Sequence, residues 1–145
     1  MQVSYSAESV LDSTLPRDDL RVLLVYPNTR DVAMANLGFQ QVYSLLNKIE
    51  GVICDRFAMP VGWKPETQYL EREELRSMDL KMHPLEFDVI AFSISFEPDY
   101  LNTVLALKYF GIPMDRKERD SSFPMISAGG SAIFINPEPL AECMD

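Results

Sequence analysis

The sequence predicts an α/β fold: a doubly wound parallel sheet with helices on both faces and strand order 2-1-3-4. Three features of the chain predict it. Four short apolar runs alternate with segments whose apolar residues recur at helical spacing. Two of these runs, Arg21–Tyr26 and Phe87–Ser95, are nearly continuous in apolar residues, as strands covered on both faces of a parallel sheet must be. The last run, Met125–Ala128, enters Gly129-Gly130. Asn136-Pro137-Glu138 then reads as a helix start, with Asn as cap and Pro at the first helical position.

At 145 residues the chain is one domain by length, with enough residues for a substantial core. Residues 1–20 are polar and read as an N-terminal extension; the domain proper is 21–145. After the strand Arg21–Tyr26, Pro27-Asn28 breaks the run. Met34, Leu37, Gly38, Val42, Leu45, Leu46 and Ile49 then form a helical stripe, which Gly51 is placed to stop. Val52–Ala58 is a shorter strand of mixed polarity, suited to an edge. Glu66–Met78 carries acid–base pairs and reads as a solvent-facing helix. The third strand, Phe87–Ser95, is followed by a helix opened by Pro98 and Asp99. Its stripe is Leu101, Val104, Leu105 and Lys108, and it is closed by Gly111 and Pro113. Right-handed crossovers and the edge character of the second strand favour the order 2-1-3-4. A doubly wound domain continues into a fifth strand, so we expect the chain to be part of a longer protein with that strand lost by truncation.

Composition narrows the partners. Net charge is −9 with a pI near 4.5, which removes the basic footprint a nucleic-acid binder needs and disfavours anionic membranes. The start of the chain has no basic and apolar leader, so cytoplasmic residence is the expectation. The two cysteines, Cys54 in a strand and Cys143 in a short helix, read as structural thiols. Neither sits in a Cys-x-x-Cys spacing, so no metal site is expected.

Ligands of open α/β sheets bind just beyond the carboxyl ends of the strands. Here those positions hold Asn28, Thr29 and Arg30, then Ser93, Ser95 and Glu97, then Gly129, Gly130 and Ser131. Small hydroxyls and glycines suit close backbone contact with a flat or phosphorylated ligand, but the same residue types are ordinary turn formers. Both readings stand on the residues alone. Other readings fail. A receiver domain needs an acidic cluster after the first strand and an Asp ending the third, which ends in Ser95. No glycine fingerprint or Walker loop follows the first strand. His83 has no carboxylate or cysteine at motif spacing, and no nucleophile–base pair can be named, so no catalytic residue is expected.

The order of features resembles a known group. Arg21–Thr29, Asn36-Leu-Gly-Phe39 and Tyr43–Asn47 look like the N-terminal, B12-binding-like domain of a family of radical SAM proteins. Phe87–Glu97, Gly111–Arg116, Ala128-Gly-Gly130 and Asn136–Leu140 continue the match to residue 145. The resemblance implies a flavodoxin-like fold and a parent protein with a C-terminal radical SAM domain, which would carry the three-cysteine motif for a 4Fe-4S cluster and use S-adenosylmethionine. In cobalamin-binding relatives an Asp-x-His-x-x-Gly motif supplies the axial ligand. The corresponding stretch here is Asp31–Asn36, with Ala33 in place of His and Asn36 in place of Gly. The resemblance therefore leaves cobalamin bound without a protein histidine, or not bound. The strand-end positions Asn28, Thr29, Ser93, Ser95, Glu97, Gly129, Gly130 and Ser131 are then the candidate cofactor-binding residues, and any corrinoid is expected over Ser93, Ser95, Gly129 and Gly130.

Two functions follow from different classes. One is a non-catalytic accessory domain that positions substrate or cofactor for the radical SAM domain of the same chain. The other is a stand-alone small-molecule-binding or protein-interaction module. A truncated sheet would also leave its last strand without a neighbour, so weak self-association of the isolated chain is expected.

Overall fold

A computed structural model describes residues 18–65 and 70–145, so most of the polar extension (1–20) and the first residues of the expected 66–78 helix lie outside the described residues. The strands are β1 (Leu20–Thr29), β2 (Val52–Met59), β3 (Val89–Ser93) and β4 (Met125–Gly129). They form one all-parallel sheet in the order β2-β1-β3-β4, as expected from the sequence.

Alternation along each strand divides the core between the two faces. On one face Leu23, Val25, Ile90, Phe92 and Ile126 pack against Ala106, Leu107 and Phe110 of α3 (Asp99–Phe110). Phe57 meets Phe110 edge-on there, with ring centroids 5.0 Å apart. On the other face Val22, Leu24, Tyr26 and Cys54 pack against Ala33 of α1 (Arg30–Ala35) and Phe39 of α2 (Leu37–Leu46). Burying β1 on both sides is what makes Val22–Tyr26 apolar throughout. β1 also runs past the expected break. Its register with β2 jumps between Tyr26 and Thr29, because Pro27 has no N–H to give the ladder.

The expected single helix over 34–49 is two. Asn36 adopts extended backbone (φ −85°, ψ 109°), ending α1, and its side chain then accepts the Phe39 N–H to cap α2. The expected stripe is also rotated. Of its members Leu46 does pack on the sheet, beside Phe39 and Tyr43, whereas Met34, Leu37, Val42, Leu45 and Ile49 are exposed. α2 stops at Asn47, short of Gly51. In α3 the buried face is Thr103, Ala106, Leu107 and Phe110, while Leu101 and Lys108 of the expected stripe are exposed; Gly111 closes the helix at φ +75°.

Residues 70–78 are not helical apart from a 3-10 turn at Arg72–Glu74. The Asp55 carboxylate of β2, fully buried, accepts the N–H groups of Asp79 and Leu80, and Met78 N–H donates to the Arg56 carbonyl. These bonds hold the segment against the sheet edge. The charge spacing that suggested a helix serves partly as a capping box, Glu71 with Glu74. A short helix, α4 (Ser131–Ile135), precedes the expected start at Asn136. Only a 3-10 turn at Glu138–Leu140 follows, with Pro137 rather than Asn136 at its N-cap, although Asn136 Oδ1 accepts the Glu138 N–H, and Cys143 lies in a turn. Among the described residues no helix is long and apolar enough to cross a membrane.

Candidate functional site

β1, β3 and β4 all end on one edge of the sheet, and a groove of about 510 Å³ opens there. It is lined by Ser93 and Ser95 after β3, by Ser127, Gly129, Gly130 and Ser131 along and after β4, and by Asn36, Gly38 and Val42 from α2 and its cap. Leu24 and Ala91 form its floor.

Asn36 holds the wall together. Its Oδ1 accepts the Phe39 N–H at 2.9 Å, which points the amide nitrogen toward the sheet, 3.3 Å from Ser95 Oγ and 3.4 Å from Tyr26 Oη. Tyr26 is itself fully buried and edge-on to Phe39 at 5.4 Å. On the opposite wall Ile94 N–H continues the ladder to the Gly129 carbonyl at 2.8 Å. Ser131 Oγ donates to the Ser95 carbonyl at 3.1 Å, and Ala132 N–H to the Ile94 carbonyl at 3.2 Å. Tyr100 of α3 ties α4 down by donating to the Ala132 and Asn136 carbonyls. The groove's rim is therefore fixed by backbone bonding rather than left to loop conformation.

The two glycines differ. Gly130 has φ +109°, and a Cβ there would lie 2.4 Å from the Ile94 carbonyl oxygen. That residue is glycine for the sake of the β3–β4 backbone contact. A Cβ at Gly129 would meet nothing within 4 Å, so the open space at the rim lies over Gly129.

Five of the expected positions, Ser93, Ser95, Gly129, Gly130 and Ser131, share this groove, while Asn28, Thr29 and Glu97 do not line it. Asn28 turns to α3, donating to Asp99 Oδ1 at 2.9 Å and accepting Thr29 N–H. Thr29 sits at the N-cap of α1, and its hydroxyl bond to Asp31 holds that carboxyl below its usual value. Glu97 is exposed in the loop before α3. Asp99 is 2% exposed, with Oδ2 unpartnered, and burial pushes its pKa up against the bonds from Asn28 and Asn102. Asn36, Gly38 and Ser127 were not anticipated as site residues. Asn36 carried a readable signal, an N-cap residue in front of Leu37-Gly-Phe39.

None of the residues lining the groove is titratable. Its chemistry is hydroxyls, one amide and bare backbone over an apolar floor, which suits holding a partly flat, partly polar ligand and offers no acid–base pair. It also offers no axial imidazole. Ala33, at the histidine position of the cobalamin motif, is fully buried between α1 and the sheet. His83, the one histidine of the sequence, caps a turn before β3, at the opposite edge. Cys54 is buried in β2 with its thiol pushed up to about 12, mainly by burial, so it is inert. Among the described residues no group of three or more His, Cys, Asp or Glu side chains could hold a metal ion.

Comparison with known proteins agrees with this architecture. No curated protein and no solved structure matches the chain. A family model described as radical SAM proteins, N-terminal, matches residues 38–145, which takes in α2 from Gly38 onward, β2, β3, β4 and the β3–β4 wall of the groove, but not Asn36 or Leu24. By that match over most of its length, the chain belongs to the family of radical SAM protein N-terminal domains.

Proposed function

We propose that this domain is a non-catalytic accessory module that positions substrate or cofactor for a radical SAM domain following it in the same parent polypeptide. The observation that carries the reading is the uncharged groove at the carboxyl edge of the sheet, in a chain of this family. With no acid, base or metal-ligand set lining it, its contribution is binding: Ser93, Ser95, Ser131 and Asn36 orient polar groups, and the space over Gly129 admits a flat one. The two cysteines here cannot form a three-cysteine motif, so the cluster and S-adenosylmethionine belong to the rest of the parent. When bound there, they supply the radical; this domain supplies orientation.

Histidine-ligated cobalamin does not fit the site, because the ligand position is Ala33, inside the core. A corrinoid held without protein imidazole is the form compatible with the glycine edge. The parent polypeptide should hold an iron–sulfur cluster and cleave S-adenosylmethionine under reduction, whereas residues 1–145 should do neither. A parent without a cluster overturns the reading. Titration with hydroxocobalamin, followed in the visible spectrum, should give no imidazole-ligated species.

A further inference from the structure

The strand order creates a second crevice on the carboxyl edge, beside the groove. The chain leaves β1 toward β2 over one face, through α1 and α2, and leaves β3 toward β4 over the other, through α3. The segments after β1 and β3 therefore part, and open α/β sheets bind ligands at that switch point. A depression of about 400 Å³ lies there. Tyr26, Asp31, Val32, Ala35 and Asn36 line it from β1 to the cap of α2, and Phe96 lines it from the segment after β3. Of these only Asn36 also lines the groove, so its amide, directed at Tyr26 Oη and Ser95 Oγ, marks the boundary between the two spaces.

Two groups in the crevice have no use within the fold. Phe96 is 58% exposed and packs into neither core cluster. Asp31 belongs to none of the ion pairs among the described residues, and the bond from the Thr29 hydroxyl keeps its carboxyl ionised at neutral pH. No Lys, Arg or His lines the crevice, so nothing there would neutralise an anion. A carboxylate and the face of an aromatic ring attract the same kind of group. The first draws a positive charge by Coulomb attraction, and the second draws it through the ring quadrupole. Val32 and Ala35 add exposed apolar surface for the body that carries the charge. The net charge of −9 favours the approach of a cation from solution.

We infer that this crevice is a binding site for an organic cation, such as a substituted ammonium, with its charge at the Asp31 carboxylate and the Phe96 ring and its apolar body on Val32 and Ala35. The site is distinct from the groove, whose lining carries no charge. Where the groove holds substrate or cofactor, the two together select a ligand whose flat part lies over Gly129 and whose basic arm crosses Asn36. That extension rests on the function proposed above; the cation site does not.

The test uses the parent polypeptide and two small probes, phenethylammonium chloride and the neutral 2-phenylethanol, titrated by ligand-observed NMR. The ammonium should bind saturably and about tenfold tighter than the alcohol. Asp31→Asn, which keeps an acceptor for the Thr29 hydroxyl, should erase that preference. Phe96→Ala should weaken the ammonium about threefold or more. Glu138→Gln removes an equal charge from an exposed residue outside the crevice and should change neither affinity. Melting temperatures of the three variants should stay within about 2 °C of the parent, so that lost binding is not lost fold. Equal affinity for the two probes, no binding of either, or a loss with Glu138→Gln as large as with Asp31→Asn overturns the inference. Cluster content and S-adenosylmethionine cleavage, measured on the same preparation, report separately on the proposed function.

Discussion

A Cβ added at Gly130 would sit 2.4 Å from the Ile94 carbonyl oxygen, and φ of +109° is a conformation side chains rarely adopt, so two independent penalties meet at one residue. Gly130→Ala should cost on the order of 3 kcal/mol in urea unfolding, and Gly129→Ala should stay within about 0.5 kcal/mol. The pair looks uniform in the sequence, and the difference lies in a backbone contact between strands. Gly129→Val is therefore the informative probe of the groove, since any loss of ligand binding there is not a loss of fold. Asp99 carries a different kind of strain. Its folded pKa is raised above 3.8, chiefly by burial, so the protonated form is the one the fold prefers. The stability it contributes is present below the unfolded pKa and is lost as pH rises through the folded one. Asp99→Asn keeps an acceptor for Asn28 and Asn102 without the charge. It should gain stability relative to the parent sequence as pH rises above 3.8, measured by thermal melts across pH.

At the scale of elements, α2 shows how a correct periodicity yields a wrong face. Leu37, Val42, Leu45 and Ile49 recur at helical spacing as cleanly as Phe39 and Tyr43, and only packing on the sheet chooses the latter pair, together with Leu46 of the expected stripe. The start of α2 depends on Asn36. Asn36→Ala removes the cap on Phe39 N–H together with the bonds to Tyr26 and Ser95, and should destabilise by about 1 kcal/mol in urea unfolding. Asn36→Ser should restore most of that loss, because a hydroxyl can cap the helix though it cannot span to β3. The 66–78 region fails for the converse reason. Its charges are spaced for a helix, yet in the described part Asp55 and the Arg56 carbonyl claim the N–H groups at 78–80.

Across the whole molecule, the exposed apolar residues beside the groove, Val42, Leu45 and Met125, should govern behaviour in solution. Residues 1–145 alone should self-associate weakly in sedimentation velocity, through the open β3–β4 face rather than through the strand edge, where Asp145 already occupies Ile126. Leu45→Lys should suppress this association without lowering the melting temperature of the isolated chain, since Leu45 is 53% exposed. A net charge of −9 keeps such association weak.

The sequence by itself determined the class of fold, the strand order and the edge on which a site can form. Those follow from local alternation of apolar runs, from the crossover rule and from Gly129-Gly130 after the last strand, all of which are written in neighbouring residues. Only the tertiary structure decided which face each helix buries, that Asn36 divides one helix into two, and which strand-end residues share the groove. Asn28 and Thr29 stand in sequence where Ser93 and Ser95 do, but Asn28 turns to Asp99, 71 residues on, and Thr29 sits at the start of α1 and bonds Asp31 instead of facing the groove. Position along a strand end is a local property. Which side chains meet there is set by long-range packing.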